Sequence, residues 1–187
     1  MKGILIGRFQ PLHRGHKKVI DTYRPEFDDF ELVIGSADKE RTEDNPLSFD
    51  ERKKIIKACY PDLNVVPVED ESRDEEGNKK WIQRIETETG ADKAVSQNPL
   101  VKRLVKEYSS MELVEQEMHD PDIYSGTAVR RRIKAGEEWR YLVPKCAEEE
   151  IAEKLEEIKK SGVKYEFEPG WARKNAYHDT VDDSKEK

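Results

Sequence analysis

The strongest constraint on how this chain can fold lies in its first sixteen residues. The apolar run Gly3-Ile4-Leu5-Ile6-Gly7 passes directly into Arg8-Phe9-Gln10-Pro11-Leu12-His13-Arg14-Gly15-His16. A short apolar run with β-branched residues, closed by glycine, reads as a buried strand, and a helix follows from near His13. Glycine at the strand end lets a ligand come close to the backbone. The unpaired N–H groups at the start of the next helix carry partial positive charge. Phosphate suits such a site. His13 and His16, three residues apart, fall on one helical face, so both imidazoles can reach the same bound group.

Apolar runs recur at residues 30–35, 63–68, 93–96 and 111–114, separated by helical patterning at 13–23, 48–59, 78–88 and 99–107. This alternation predicts one α/β domain with a Rossmann-like open parallel sheet and helices on both faces, plus C-terminal helices. Ligands of such sheets bind beyond the carboxyl ends of the strands. Ser48 with Glu51 three residues on is a capping-box pattern. Farther along, Ser125-Gly126-Thr127 opens a basic helix, Val129-Arg130-Arg131-Arg132-Ile133-Lys134, which Gly136 ends. A last helix is expected over residues 146–160, with Ile151, Leu155 and Ile158 forming a stripe that faces the core. Periodicity fades beyond it, so the domain is read as 1–162. Residues 163–187, with Trp171 and His178, are read as a partly disordered extension.

Composition narrows the partners. The 187 residues are 40% charged with a net charge of -7, which disfavours a nucleic-acid partner because that affinity comes largely from cations neutralising phosphates. One local basic cleft suffices for a small phosphorylated ligand. Cys59 and Cys146 show no CxxC spacing, so neither a disulfide framework nor a zinc site is expected and a reducing interior fits. No stretch approaches the ~20 apolar residues that span a membrane, and the first strand begins at once, leaving no room for a signal peptide. The expectation is a cytoplasmic protein.

The second strong motif is Tyr124-Ser125-Gly126-Thr127-Ala128-Val129-Arg130. Its hydroxyls and helix-start N–H groups can wrap a polyphosphate, with Arg130 or Arg131 adding charge-assisted hydrogen bonds. Together the two motifs resemble the nucleotidylyltransferase superfamily, which carries HxGH near its N-terminus and an SxTxxR-like signature near its C-terminus. The GRFQP form of the first motif is similar to the archaeal-type nicotinamide mononucleotide (NMN) adenylyltransferases. Further matches run in order: Ile34-Gly35-Ser36-Ala37, Asn45-Pro46, Glu51-Arg52, Asn98-Pro99-Leu100-Val101, Arg103-Leu104, Trp139-Arg140 and Leu142-Val143-Pro144. The resemblance covers residues 2–160.

This resemblance implies transfer of AMP from ATP to NMN, giving NAD and pyrophosphate, by a homo-oligomer that uses Mg²⁺ held mainly through the ATP phosphates. It implies His13, His16, Arg8 and Arg130 as catalytic residues. ATP would be bound by Gly7, Phe9, Gln10, Gly15, Asn98, Ser125, Thr127 and Arg131. NMN would be bound by Ser36, Arg52, Asp70, Asn78 and Trp81, the indole stacking on the cationic pyridinium ring. No residue is assigned as a metal ligand. The chain departs from the family pattern at Asn45-Pro46-Leu47-Ser48-Phe49-Asp50-Glu51-Arg52, at Gln97 and in the acidic stretch 71–77. Two alternatives stand beside this reading. One keeps the chemistry with another phosphorylated acceptor, such as phosphopantetheine, FMN or a polyol phosphate; Asn78-x-x-Trp81 argues against it. The other is a non-catalytic nucleotide-binding module, against which the intact His13, His16 and Arg130 speak.

Overall fold

The computed structural model describes residues 1–116 and 122–162. Five strands, β1 (Lys2–Gly7), β2 (Asp29–Ile34), β3 (Asn64–Pro67), β4 (Lys93–Ser96) and β5 (Glu112–Glu115), form one sheet in the order β3-β2-β1-β4-β5. Every pairing is parallel. A helix follows each strand: α1 (Arg14–Tyr23), α2 (Phe49–Cys59), α3 (Glu75–Thr89), α4 (Pro99–Tyr108) and α5 (Gly126–Ala135). Two short helices, α6 (Glu148–Glu153) and α7 (Leu155–Lys160), complete the described chain. The architecture is the Rossmann-like sheet that the alternating pattern predicts.

Successive strand residues enter two different cores. Leu5, Leu32, Ile34 and Val95 pack with Ile20 of α1, Ile55 and Ile56 of α2, Val129 and Ile133 of α5, and Ile151 and Ile158. Ile4, Val33 and Ala94 pack on the other face with Ile82 and Ile85 of α3 and Leu104 and Val105 of α4. Burial on both faces is why the strands read as continuous apolar runs and not as alternation. From β1 the sheet grows one way through β2 and β3 and the other way through β4 and β5. The crevice at the carboxyl ends of β1 and β4 is therefore the topological switch point, where open α/β sheets bind ligands.

Local signals fixed most boundaries. Ser48 and Glu51 form the expected reciprocal capping box on α2, and Gly136 ends α5 in the left-handed conformation at φ 70°. Three expectations are corrected. Helix α3 begins at Glu75 and not near Asn78, because Asp74 accepts the Gly77 N–H at 2.7 Å and caps a turn that the acidic sequence disguised as loop. The single helix expected over 146–160 is a 3₁₀ turn (Lys145–Ala147) followed by α6 and α7, broken at Lys154 where φ is -102° and ψ 9°. Its apolar stripe nevertheless packs inward, with Ile151 and Ile158 fully buried and Leu155 against the same core.

The third correction is covalent: Cys59 and Cys146, 87 residues apart, form a disulfide. Their spacing along the chain gave no sign of it. Docking of the 3₁₀ turn on the end of α2 is what brings the sulfurs together. By the chain-entropy model, closing a loop of this length stabilises the fold by about 4–5 kcal/mol. The cysteines thus no longer argue for a reducing environment. Among the described residues no helix is long and apolar enough to cross a membrane. Pro121, and the extension carrying Trp171 and His178, lie outside the described residues.

Candidate active site

Beyond Gly7 at the end of β1, the chain makes a tight turn in which Phe9 takes φ 53° and is buried. Gln10, also buried, pairs its side-chain amide with the backbone of Leu47: Nε2 donates to the carbonyl at 2.8 Å and Oε1 accepts the N–H at 3.0 Å. The amide expected to face ATP therefore ties the turn before α1 to the turn before α2. Helix α1 then starts on His13, whose extended backbone lets Nδ1 accept the His16 N–H at 3.4 Å. The two imidazoles stack at 3.7 Å between centroids, with the Phe9 ring 4.5 Å from His16.

Both histidines are shifted by this enclosure. Burial pushes the His13 imidazole down to about 4. Burial, and then the neighbouring His13, hold His16 well below the ordinary imidazole value. Both are neutral at neutral pH, and His16 Nδ1 is buried without a hydrogen-bond partner among the described residues. An incoming polyanion reverses the balance, since an opposite charge nearby favours the protonated ring.

The second motif arrives beside the first. Ser125 caps α5, its Oγ accepting the Ala128 N–H at 3.2 Å. A Cβ on Gly15 would stand 3.0 Å from the His13 ring and 3.1 Å from the Tyr124 carbonyl, and one on Gly126 would stand 2.8 Å from the Gln10 carbonyl. Only glycine lets the starts of α1 and α5 approach this closely. Two helix N-termini, each equivalent to about half a positive charge, thus converge on the crevice. Arg130 is buried between them: Nη1 donates to the Gln10 carbonyl at 2.9 Å, and Nη2 reaches the Asp44 carboxylate at 3.2 Å and Thr127 Oγ1 at 3.4 Å. Arg131 is exposed, so the helical register turns Arg130 and not Arg131 toward the first motif. At the end of β4, Asn98 caps α4 by accepting the N–H groups of Leu100 and Val101.

The other side of the site lies beyond β2. Ser36, at φ 50°, donates its hydroxyl to Asp70 at 2.9 Å. Helix α3 carries Asn78 and Trp81 on one face, and a Cβ on Gly35 would lie 3.8 Å from the half-buried indole. Ser36, Asp70 and Trp81 therefore gather around the end of β2. Arg52 does not line this surface; it lies fully buried beneath it. Nη1 donates to the carbonyls of Arg8 at 3.0 Å and Gly35 at 2.9 Å, Nη2 to that of Ser36 at 2.9 Å, and Nε to that of Ser48 at 3.2 Å. Burial, followed by the nearby Arg8, lowers its pKa to about 10, which leaves it cationic at neutral pH. A resemblance to known motifs marks Arg52 as important, but only the structure reveals that it pins the ends of β1 and β2. Asp44 was not singled out at all, since nothing in its spacing signals a contact with residue 130.

Among the described residues no three carboxylate, imidazole or thiol groups gather into a cation site. The groups facing the crevice are backbone N–H, guanidinium, hydroxyl and imidazole, a donor set suited to phosphate oxygens. A cavity of about 590 Å³ lined by Asp21, Arg24, Tyr60 and Asp62 lies at the amino-terminal edge of the sheet, away from all of them.

Residues 4–132 match the cytidylyltransferase-like family. The chain is 35% identical over 153 residues to the nicotinamide-nucleotide adenylyltransferase of Halobacterium salinarum, covering 81% of this chain and 86% of the relative. It is 37% identical over 158 residues to that of Haloarcula marismortui, covering 82% and 81%. Among solved structures it resembles in fold a bifunctional NMN adenylyltransferase/ADP ribose pyrophosphatase of Francisella tularensis, complexed with AMP and a manganese ion. The TM-score is 0.67 at 16% identity, over 87% of this chain and 52% of the other, so this chain spans about half of that protein. The same fold appears in Thermotoga maritima TmcAL bound with α-thio ATP, at a TM-score of 0.63 and 13% identity, over 83% of this chain and 56% of the other. With both motifs brought together at the crevice and archaeal relatives matched along most of their length, the chain belongs to the cytidylyltransferase-like family, among the archaeal nicotinamide-nucleotide adenylyltransferases.

Proposed function

We propose that this protein transfers the AMP moiety of ATP to the 5′-phosphate of NMN, forming NAD and pyrophosphate. The observation that carries the reading is the convergence of the α1 and α5 N-termini, with His13, His16 and Arg130, at the switch point of the sheet. An oxygen of the NMN phosphate bonds to the α-phosphorus of ATP as the bond from that phosphorus to the bridging oxygen of pyrophosphate breaks. A phosphate monoester, with a second pKa of about 6, is already largely dianionic at neutral pH and needs no general base. The site's task is to align anions and to stabilise the charge that builds on the transferring and leaving phosphates.

In this reading Ser125, Thr127 and the α5 N–H groups hold the β and γ phosphates. His13 and His16 face the transferring group, while Arg8 and Arg130 offset developing charge. Gly7, Phe9 and Gly15 shape the turn that admits the nucleotide, with Gln10 fixing that turn and Asn98 marking its adenosine side. Ser36, Asp70, Asn78 and Trp81 receive NMN, and Arg52 acts through the backbone it holds. Arg131 serves at most at the rim. A divalent cation, Mg²⁺ in this reading, would be held through the nucleotide's phosphates and would supply neutralisation of their charge. A cytoplasmic setting and a homo-oligomer belong to this proposal, and light scattering would test the second.

The decisive experiment supplies ATP and Mg²⁺ with NMN, phosphopantetheine, FMN or a polyol phosphate in turn, with CTP as a second donor. NAD and pyrophosphate should form in equal amounts with NMN alone. Turnover of another acceptor would reassign the substrate, and ATP binding without turnover of any would make the protein a nucleotide-binding module.

A further inference from the structure

Arg130 is a cation with only 5% of its surface exposed, and its inner nitrogen, Nη1, donates to a neutral carbonyl, that of Gln10. The outer nitrogen, Nη2, meets a carboxylate: Asp44, itself 58% exposed at the side chain. The same Nη2 lies 3.4 Å from Thr127 Oγ1, so it faces the N-terminal turn of α5, where the phosphates are expected. The Asp44 carboxylate therefore stands on the edge of the guanidinium that a phosphate oxygen would use.

Asp44 is held there by a preformed loop. The Thr42 N–H donates to the Asn45 carbonyl at 3.2 Å, the Asn45 N–H to Thr42 Oγ1 at 3.1 Å, and the Arg41 N–H to the Pro46 carbonyl at 3.3 Å. The base of the loop is clamped by the two Arg41–Glu51 contacts, each 2.8 Å, and by the Gln10–Leu47 pair. Asp44 thus sits at the tip of a closed turn that is fixed at its root.

We propose that Asp44 is a specificity-determining residue that stands in for substrate phosphate on Arg130 and must be displaced by the nucleotide, so that it sets the threshold for ATP binding. The inference rests on the adenylyltransferase reading of the site. Its carboxylate occupies the outer edge of the buried guanidinium without ligand, and repels weakly charged competitors too poor in phosphate to dislodge it. Triphosphate and pyrophosphate, with more negative charge to offer, displace it.

The test compares wild type with Asp44→Asn and Asp44→Glu, measuring the affinity for a non-hydrolysable ATP analogue by calorimetry alongside KM and kcat. Asp44→Asn should bind the analogue about three- to fivefold more tightly, the scale of one partly exposed ion pair. KM for ATP should fall in step, KM for NMN should stay within about twofold, and the difference should shrink at high salt as the pair is screened. Asp44→Glu should remain close to wild type. Unchanged or weaker nucleotide binding in a folded Asp44→Asn protein overturns the proposal, and weaker binding would make the carboxylate a contributor to the nucleotide site. Wild-type protein that binds the analogue but does not adenylylate NMN overturns the substrate reading instead, leaving the Asp44 comparison readable.

Discussion

The two halves of the site are built differently. On the side proposed to hold phosphate, His13, Gln10 and Arg130 are buried, and each is engaged in holding another part of the site: a helix cap, a neighbouring loop, a turn carbonyl. On the acceptor side, Asp70 is exposed, Asn78 and Trp81 are half-buried, and the Ser36–Asp70 hydrogen bond joins two loops near the surface. Charge on phosphates must be met by donors fixed in advance, which requires burial and mutual support. A flat cationic ring needs one aromatic face, which a side chain on a helix can offer without reorganising its surroundings. In the proposed reading the phosphate half carries the transfer chemistry, and the acceptor half, being less buried, is where a substitution would alter selectivity with least disturbance of the fold. Arg52 joins them, since its carbonyl partners include Arg8 on one side and Gly35 and Ser36 on the other.

The largest effect expected is on that joint. Arg52→Ala removes the donor to four carbonyl oxygens at once and should lower stability by about 3–5 kcal/mol in denaturant titration. A stable variant that loses only NMN affinity would make Arg52 a direct ligand and break the division drawn above. His16→Ala should slow adenylyl transfer by more than about tenfold while the protein stays folded, because the contacts it makes strengthen as charge builds. Normal turnover would take α1 out of the chemistry.

Acid should select the phosphate half. An unfolded histidine binds its proton near pH 6.5, whereas folded His13 does so only near 4. Stability from this site is therefore complete above pH 6.5 and is lost as pH falls toward 4, on the order of 3 kcal/mol for His13. His13→Asn should flatten that stretch of the stability profile, and an ATP analogue should restore wild-type stability there by favouring the charged rings. An unaltered slope in the variant would place the acid sensitivity elsewhere. The smallest change is Trp81→Ala, which should raise KM for NMN by about three- to thirtyfold and leave KM for ATP nearly untouched. Equal loss for both substrates together with a lower melting temperature would assign the indole to the core.

Local patterns made much of this legible. The β1 run, the glycine before the turn and the His13-x-x-His16 spacing determine a strand, a helix start and two imidazoles on one face, whatever the rest of the chain does. The Ser48–Glu51 box and the Gly136 stop likewise depend on a few adjacent residues. What the tertiary structure decided are meetings between residues far apart in the chain: Cys59 with Cys146, Gln10 with Leu47, Arg52 with the ends of two strands, and Asp44 with Arg130. Helical and strand periodicity report which face of an element is apolar but not which element lies against it. For that reason the two phosphate motifs could be read separately in the sequence, while the contact that makes them one site, allowed by Gly15 and Gly126, exists only once the helices have packed.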